Sequence, residues 1–165
     1  MSDRIWVVNA SPLILLGKLE RLDLIEALAA QVMVPRAVVD EIAAGANDTT
    51  AQSVLDWASR KVKPNIPVPG SILGWDLGAG ESQVLAYCLA IPNQTGSHLA
   101  VLDDGEARAA AKVHGLGLVG SLGIILRARR AGLIPAARPL IDKLLVCGSY
   151  LSADLVQQAL HKVGE

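Results

Sequence analysis

A recurring unit constrains this chain more than any other feature. A short aliphatic run is halted by a polar residue, glycine or proline, and a stretch with helical spacing follows. Ile5-Trp6-Val7-Val8 stops at Asn9, Val32-Met33-Val34 at Pro35, Leu99 to Leu102 at Asp103-Asp104, and Leu116 to Val119 at Gly120-Ser121. Runs with no polar face read as strands buried on both sides, the pattern of a parallel sheet covered by helices. Between them, helices are expected from Ser11-Pro12 to Leu19, over Leu22–Ala30, after Pro35 to Gly45, and over Thr50–Ser59. Further helices are expected over Glu81–Ala90, Glu106–His114, Ser121–Ala131, Ala136–Val146 and Ala153–Val163. Val62 starts a weak strand, and three prolines make Pro64–Gly70 a loop. Gly78-Ala79-Gly80 reads as a tight turn and Pro92–Ser97 as a polar loop. The alternation implies an α/β fold: a three-layer α/β/α sandwich with a central parallel sheet and extra C-terminal helices. Residues 1–150 are expected to form one domain, with 151–165 a terminal helix packed on it.

Hydrophobic residues make up 52% of the 165 residues, aromatics only 3%, and there is no Phe, so the core must be built from Leu, Ile, Val and Ala. A net charge of -1 argues against a tight, non-specific nucleic-acid binder, yet leaves room for an enzyme that touches a few phosphates. Cys88 and Cys147 form no CxxC pair, which points to a reducing cytoplasm and away from structural zinc. The first residues run straight into a strand, so no signal peptide is expected. The most apolar stretch, Leu116–Leu126, is too short to span a bilayer.

In open parallel sheets ligands bind beyond the carboxyl ends of the strands. The residues placed there are Asn9 and Ser11, Asp103 and Asp104, and Ser121; Glu41 lies two turns into the helix after the second run, and Glu81 opens the helix after the glycine turn. Glu41, Glu81, Asp103 and Asp104 are expected to converge on one cleft. Carboxylates gathered in a cleft repel unless a cation joins them, and Mg²⁺ or Mn²⁺ suits oxygen ligands. Such a site favours metal-assisted phosphoryl chemistry.

Several stretches together resemble the PIN-domain superfamily, and more narrowly a bacterial PIN-like group that begins Asn-Ala-Ser-Pro. They are Val7-Val8-Asn9-Ala10-Ser11-Pro12-Leu13, Val34-Pro35 followed by Asp40-Glu41-Ile42, Gly78-Ala79-Gly80-Glu81-Ser82, and Leu102-Asp103-Asp104 with Arg108 and Ala109. Gly120-Ser121-Leu122-Gly123 and the stretch Ala128–Pro135 add to them. The resemblance covers about Ile5 to Leu151. It implies an α/β/α sandwich and a Mg²⁺- or Mn²⁺-dependent ribonuclease acting on RNA, in a superfamily many of whose members are toxins of toxin–antitoxin pairs held by a small antitoxin protein. Carried over, Glu41, Glu81 and either Asp103 or Asp104 match its catalytic acids and, with Asn9, its metal ligands; Asp103, nearest the strand end, is expected as the catalytic ligand and Asp104 as a second ligand or cap. Asn9 stands where the superfamily's nucleases carry their first Asp, so one negative charge is missing. The extra C-terminal helices make a homodimer plausible.

Each assignment has a structural alternative. Asn9 can satisfy backbone groups at a strand end. Glu41 can be an exposed helix residue, and Glu81 an acid favouring a helix N-terminus. Asp103 or Asp104 can cap the next helix, and Ser11 and Ser121 are caps first and supporting hydroxyls second. Arg127, Arg129 and Arg130 are candidate RNA contacts, but they also suit a solvated helix end. Two functional rivals stand beside the nuclease. One is a PIN-like module without turnover that binds nucleic acid or protein. The other is a phosphate-accepting receiver or phosphatase using Asp103-Asp104, for which neither Lys112 nor Lys143 is well placed.

Overall fold

The computed structural model describes residues 4–90 and 97–165. Among them, the chain runs β1 (Ile5–Val8), α1 (Ala10–Lys18), α2 (Asp23–Leu28), β2 (Gln31–Pro35), α3 (Arg36–Ala44), α4 (Thr49–Ala58) and β3 (Val62–Lys63). It continues through α5 (Gly70–Leu73), α6 (Ala79–Leu89), β4 (His98–Val101), α7 (Gly105–Val113), β5 (Gly117–Val119), α8 (Ser121–Arg130), α9 (Arg138–Val146) and α10 (Ala153–Lys162). Every strand pairing is parallel, and the sheet order is β3-β2-β1-β4-β5. The α/β/α sandwich read from the alternating runs is the fold.

The strand order reverses between β1 and β4, which makes their carboxyl ends the switch point where such sheets open a crevice. Val8 pairs with Val101, so the two strands end level. The Asn9 backbone N–H then donates to the Val101 carbonyl at 3.1 Å, and the Leu102 N–H to the Val119 carbonyl at 3.0 Å. Asn9 and Asp103 therefore leave the sheet side by side, although 94 positions separate them in the chain.

The core is aliphatic apart from Trp6, which is fully buried among Leu13, Leu16, Ile25, Leu85, Leu99, Ile124 and Ile125. Burying each such Leu or Ile contributes roughly 1.5–3 kcal/mol. Helix α6 is the most enclosed: Ser82, Gln83, Val84, Leu85, Ala86 and Cys88 are all buried, because it packs on α3 and on β1, β2 and β4. The buried Gln83 amide both donates to the Ile66 carbonyl and accepts from the Ile66 N–H, at 2.8 and 2.9 Å. With the Tyr87 hydroxyl donating to the Pro64 carbonyl, it pins the proline-rich segment to α6.

Several boundaries differ from those expected. Helix α1 starts at Ala10 with Asn9 in the capping position, so Ser11 is inside the first turn and is not the cap. The Gly78–Gly80 turn is in large part the first turn of α6. A short helix, α5, begins at Gly70, where a loop was expected to end. The polar loop expected over 92–97 lies outside the described residues except for Ser97. The two C-terminal helices are joined to the domain by Glu165. Its carboxylate accepts from the backbone N–H groups of Ala137 and Arg138, at 2.7 and 3.0 Å, and pairs with Arg129 at 3.2 Å.

Candidate metal centre

Asn9 follows β1 with extended backbone (φ -84°, ψ 169°), and its side chain makes no capping bond to α1. It is only 2% exposed. Its Nδ2 donates to Glu81 Oε1 at 3.2 Å, while its Oδ1 is buried and has no hydrogen-bond partner. The structure thus departs from the reading in which Asn9 tidies up backbone groups: its amide faces side chains. An acceptor oxygen shut away from water without a donor costs roughly 1–3 kcal/mol.

Gly80 explains how the acids approach that oxygen. A Cβ at this buried position would lie 2.7 Å from Glu41 Oε2 and 2.9 Å from Asn9 Oδ1. The backbone of α6 is bare where the two oxygens crowd against it, and any side chain would fill the space. Glu41, on α3, reaches this corner with an exposed stem, and Glu81 rises from the first turn of α6. Burial, and then the nearby charge of Glu81, pushes the Glu41 carboxyl above its ordinary range. None of the ion pairs among the described residues includes Glu41 or Glu81.

The corner built on β4 is arranged differently. Asp103 Oδ1 accepts from the Ser121 backbone N–H at 2.8 Å, and its Oδ2 from Ser121 Oγ at 2.6 Å and, more weakly, from Ser11 Oγ at 3.5 Å. Gly120 occupies the capping position of α8 without a side chain to offer, so Asp103 caps that helix from another strand. Ser121, expected as a cap, is instead a 1%-exposed donor to Asp103. Asp104 is the cap of its own helix: its Oδ2 accepts from the Ala107 N–H at 2.9 Å. Arg108 Nη1 donates to the Leu102 carbonyl at 2.9 Å and fixes the strand end.

The expected convergence therefore takes the form of two adjoining corners, joined through the first turn of α1. Asn9, Glu41 and Glu81 meet around Gly80, and Ser11, Asp103 and Ser121 meet at the start of α8. Among the described residues no three His, Cys, Asp or Glu side chains form a ligating group. The donor set is mixed: an amide oxygen beside a pair of carboxylates. An orphaned buried oxygen, a like-charged pair and a glycine-lined gap do fit a hard divalent cation, which takes amide and carboxylate oxygens alike.

The PIN-domain profile matches residues 5–165. The chain belongs to the PIN-domain family. A search of curated proteins gave no match. Membership brings a nuclease-like fold, and PIN domains generally depend on divalent metal ions. In this PIN domain the strand-end position after β1 holds Asn9.

The three arginines expected as RNA contacts have different surroundings. Arg129 is tied to Glu165 through its Nε at 3.2 Å. Arg127 sits over the Trp6 ring at 5.9 Å, and Arg130 is exposed. Sequence reasoning missed Gly80 as a wall of the site. The Gly-x-Gly before Glu81 was its signal, but it reads equally well as a turn. Among the described residues no helix is long and apolar enough to cross a membrane.

Proposed function

We propose that this PIN domain is a Mg²⁺- or Mn²⁺-dependent endoribonuclease, the toxin of a toxin–antitoxin pair. The observation that carries the reading is the buried, unpartnered Asn9 Oδ1 set against Glu41 Oε2 across Gly80. Asn9, Glu41 and Glu81 would hold the ion, with Asp103 at the neighbouring corner. When bound, the ion supplies charge neutralisation and Lewis acidity at the phosphoryl group. Asn9 Nδ2 orients Glu81 through their hydrogen bond. Glu41, whose Oε2 lies against Asn9 Oδ1 across Gly80, is placed to orient an attacking water. Asp103, held by Ser121 and Ser11, stays fixed while substrate binds.

Cleavage of single-stranded RNA across a Mn²⁺ series tests this, comparing wild type with Glu81→Gln and Asp103→Asn. Each variant is expected to lose on the order of 10²-fold or more in rate. Equal cleavage by all three proteins sinks the reading.

Asn9 in place of a carboxylate favours a second reading, a binding module without turnover. RNA or protein binding with no cleavage anywhere in the Mn²⁺ series would establish it. A cytoplasmic setting agrees with the free thiols Cys88 and Cys147. A homodimer is supported by the exposed Leu145 and Val146 on α9, and sedimentation of the purified chain decides it.

A further inference from the structure

A second cleft of about 490 Å³ opens beside the Asp103 corner, between β5, α8 and the C-terminal segment. Arg108, Arg127, Arg130 and Lys162 line it, and among the described residues Asp103 is its one acid. A chain of net charge -1 has thus gathered four cations around one hollow. Helix dipoles account for three of the four cations one by one, but not for their meeting. They favour cations at helix C-termini, which suits Arg127, Arg130 and Lys162, but Arg108 lies in the N-terminal half of α7. The residues also come from three helices, so their meeting is a tertiary arrangement.

Arg127 and Arg130 act on each other within the cleft. Burial, and then the charges of Arg4 and Arg130, pulls the Arg127 guanidinium below its ordinary range, and the Trp6 ring beneath it holds it in place. Like charges fixed this way are relieved by an anion, and cations brought from three helices to one cleft suit a polyanion better than a single ion. At the rim stands Tyr150, whose ring is fully exposed. A solvent-facing aromatic beside a cationic groove is the combination that holds single-stranded nucleic acid, with phosphates on the cations and a base on the ring. Asp103, at the corner that adjoins the Asn9, Glu41 and Glu81 group, is among the residues that line the cleft.

We infer that this cleft is a track for the flank of a single-stranded RNA, with Arg127, Arg130 and Lys162 on successive phosphates and Tyr150 stacking a base. The inference rests on the ribonuclease reading for the identity of the strand, and on the cleft alone for its path. A net-negative chain can meet RNA through a local cluster of cations such as this one.

The test is binding of a labelled ten-nucleotide single-stranded RNA in EDTA over a salt series, with cleavage of a dinucleotide in Mn²⁺ measured separately. Wild type, Arg130→Gln/Lys162→Gln and Tyr150→Ala are compared, with thermal melts confirming that each is folded. All the substituted side chains are exposed. The double variant is expected to reduce the slope of log K against log salt by about 1.4, that is about 0.7 for each lost phosphate contact. Tyr150→Ala is expected to weaken binding about tenfold, and dinucleotide cleavage should be unchanged in both. Wild type that does not bind the RNA overturns the track. So does an unchanged slope in the double variant, or an equal loss on the dinucleotide. Tighter binding of a poly-glutamate peptide than of RNA, abolished in the double variant, overturns it in favour of an acidic protein partner. RNA binding with the expected slopes but no cleavage in Mn²⁺ supports the track and sinks the nuclease reading, so the two failures are distinguishable.

Discussion

The two corners of the site are built on opposite principles. At the β4 corner every carboxylate is occupied: Asp103 accepts from Ser121 and Ser11, and Asp104 caps α7. At the β1 corner Asn9 Oδ1 has no donor, and Glu41 and Glu81 press their charges together. The first corner therefore stabilises the fold as it stands, whereas the second lowers stability until something positive enters. A binding site has to hold such unmet demand, because groups already satisfied gain little from a ligand. The acids that looked strongest in sequence, Asp103 and Asp104, thus carry much of the structure, and the residue that looked like a defect, Asn9, carries the clearest sign of a ligand.

Removing the occupied corner should have the largest effect on stability. Asp103→Ala leaves the buried Ser121 hydroxyl and the first N–H of α8 without their acceptor. A loss of about 2 kcal/mol is expected, seen as a fall of ~4–8 °C in Tm. If Asp103→Ala melts with wild type, the contrast between the corners collapses.

Asn9→Asp sharpens the contrast from the other side. It replaces the Nδ2 donor to Glu81 with a third negative group, so the metal-free protein is expected to lose about 1–2 kcal/mol. The rise in Tm on adding Mn²⁺ should exceed that of wild type. Paired melts with EDTA and Mn²⁺ read both quantities, and an unaltered Mn²⁺ increment would show that the ion does not bind here.

Gly80→Ala fills the gap. Better helix propensity, up to about 1 kcal/mol, offsets the steric push on Asn9 and Glu41, so Tm should hardly move. Mn²⁺ binding measured by calorimetry should nevertheless weaken. Retention of wild-type binding would mean that the space beside Gly80 is not where the ion sits.

The smallest effect belongs to Glu41. Its folded-state pKa lies above its ordinary value of 4.5, so the folded chain binds the proton more tightly than the unfolded chain. That contribution is present below the unfolded pKa and is lost as pH rises through the folded one. Glu41→Gln should therefore gain on wild type as pH rises above about 4.5 and hold the gain at neutral pH, on the order of 1 °C in metal-free melts. A variant less stable than wild type at pH 7 contradicts the crowding of Glu41 by Glu81.

Much of this was legible in sequence. The aliphatic runs marked the strands, and the polar residues that stop them marked the site edge of the sheet, because burial on both faces and termination are local properties of a few residues. The Asp104 cap was also in view as one of two options. The sequence preferred Asp103 to Asp104 as ligand by its place at the strand end, but it could not show that Asp103 is held by Ser121, 18 residues on, because only the pairing of β4 with β5 brings them together. Nor could it show Glu165 closing on Ala137 and Arg129.

What the sequence determined by itself was the alternation, the aliphatic core and the identity of the acids. Tertiary structure alone decided their division of labour. Asn9 and Glu81 lie 72 residues apart and meet because β1 and β4 are neighbours at the switch point, where α6 presents a glycine to the gap. The cationic cleft arises in the same way, from helices with no local relation to one another. Capping and hydrophobic spacing act over about four residues and can be read along the chain. A charge left unneutralised or an oxygen left without a donor is a property of the surroundings, and the surroundings exist only once the sheet has ordered its strands.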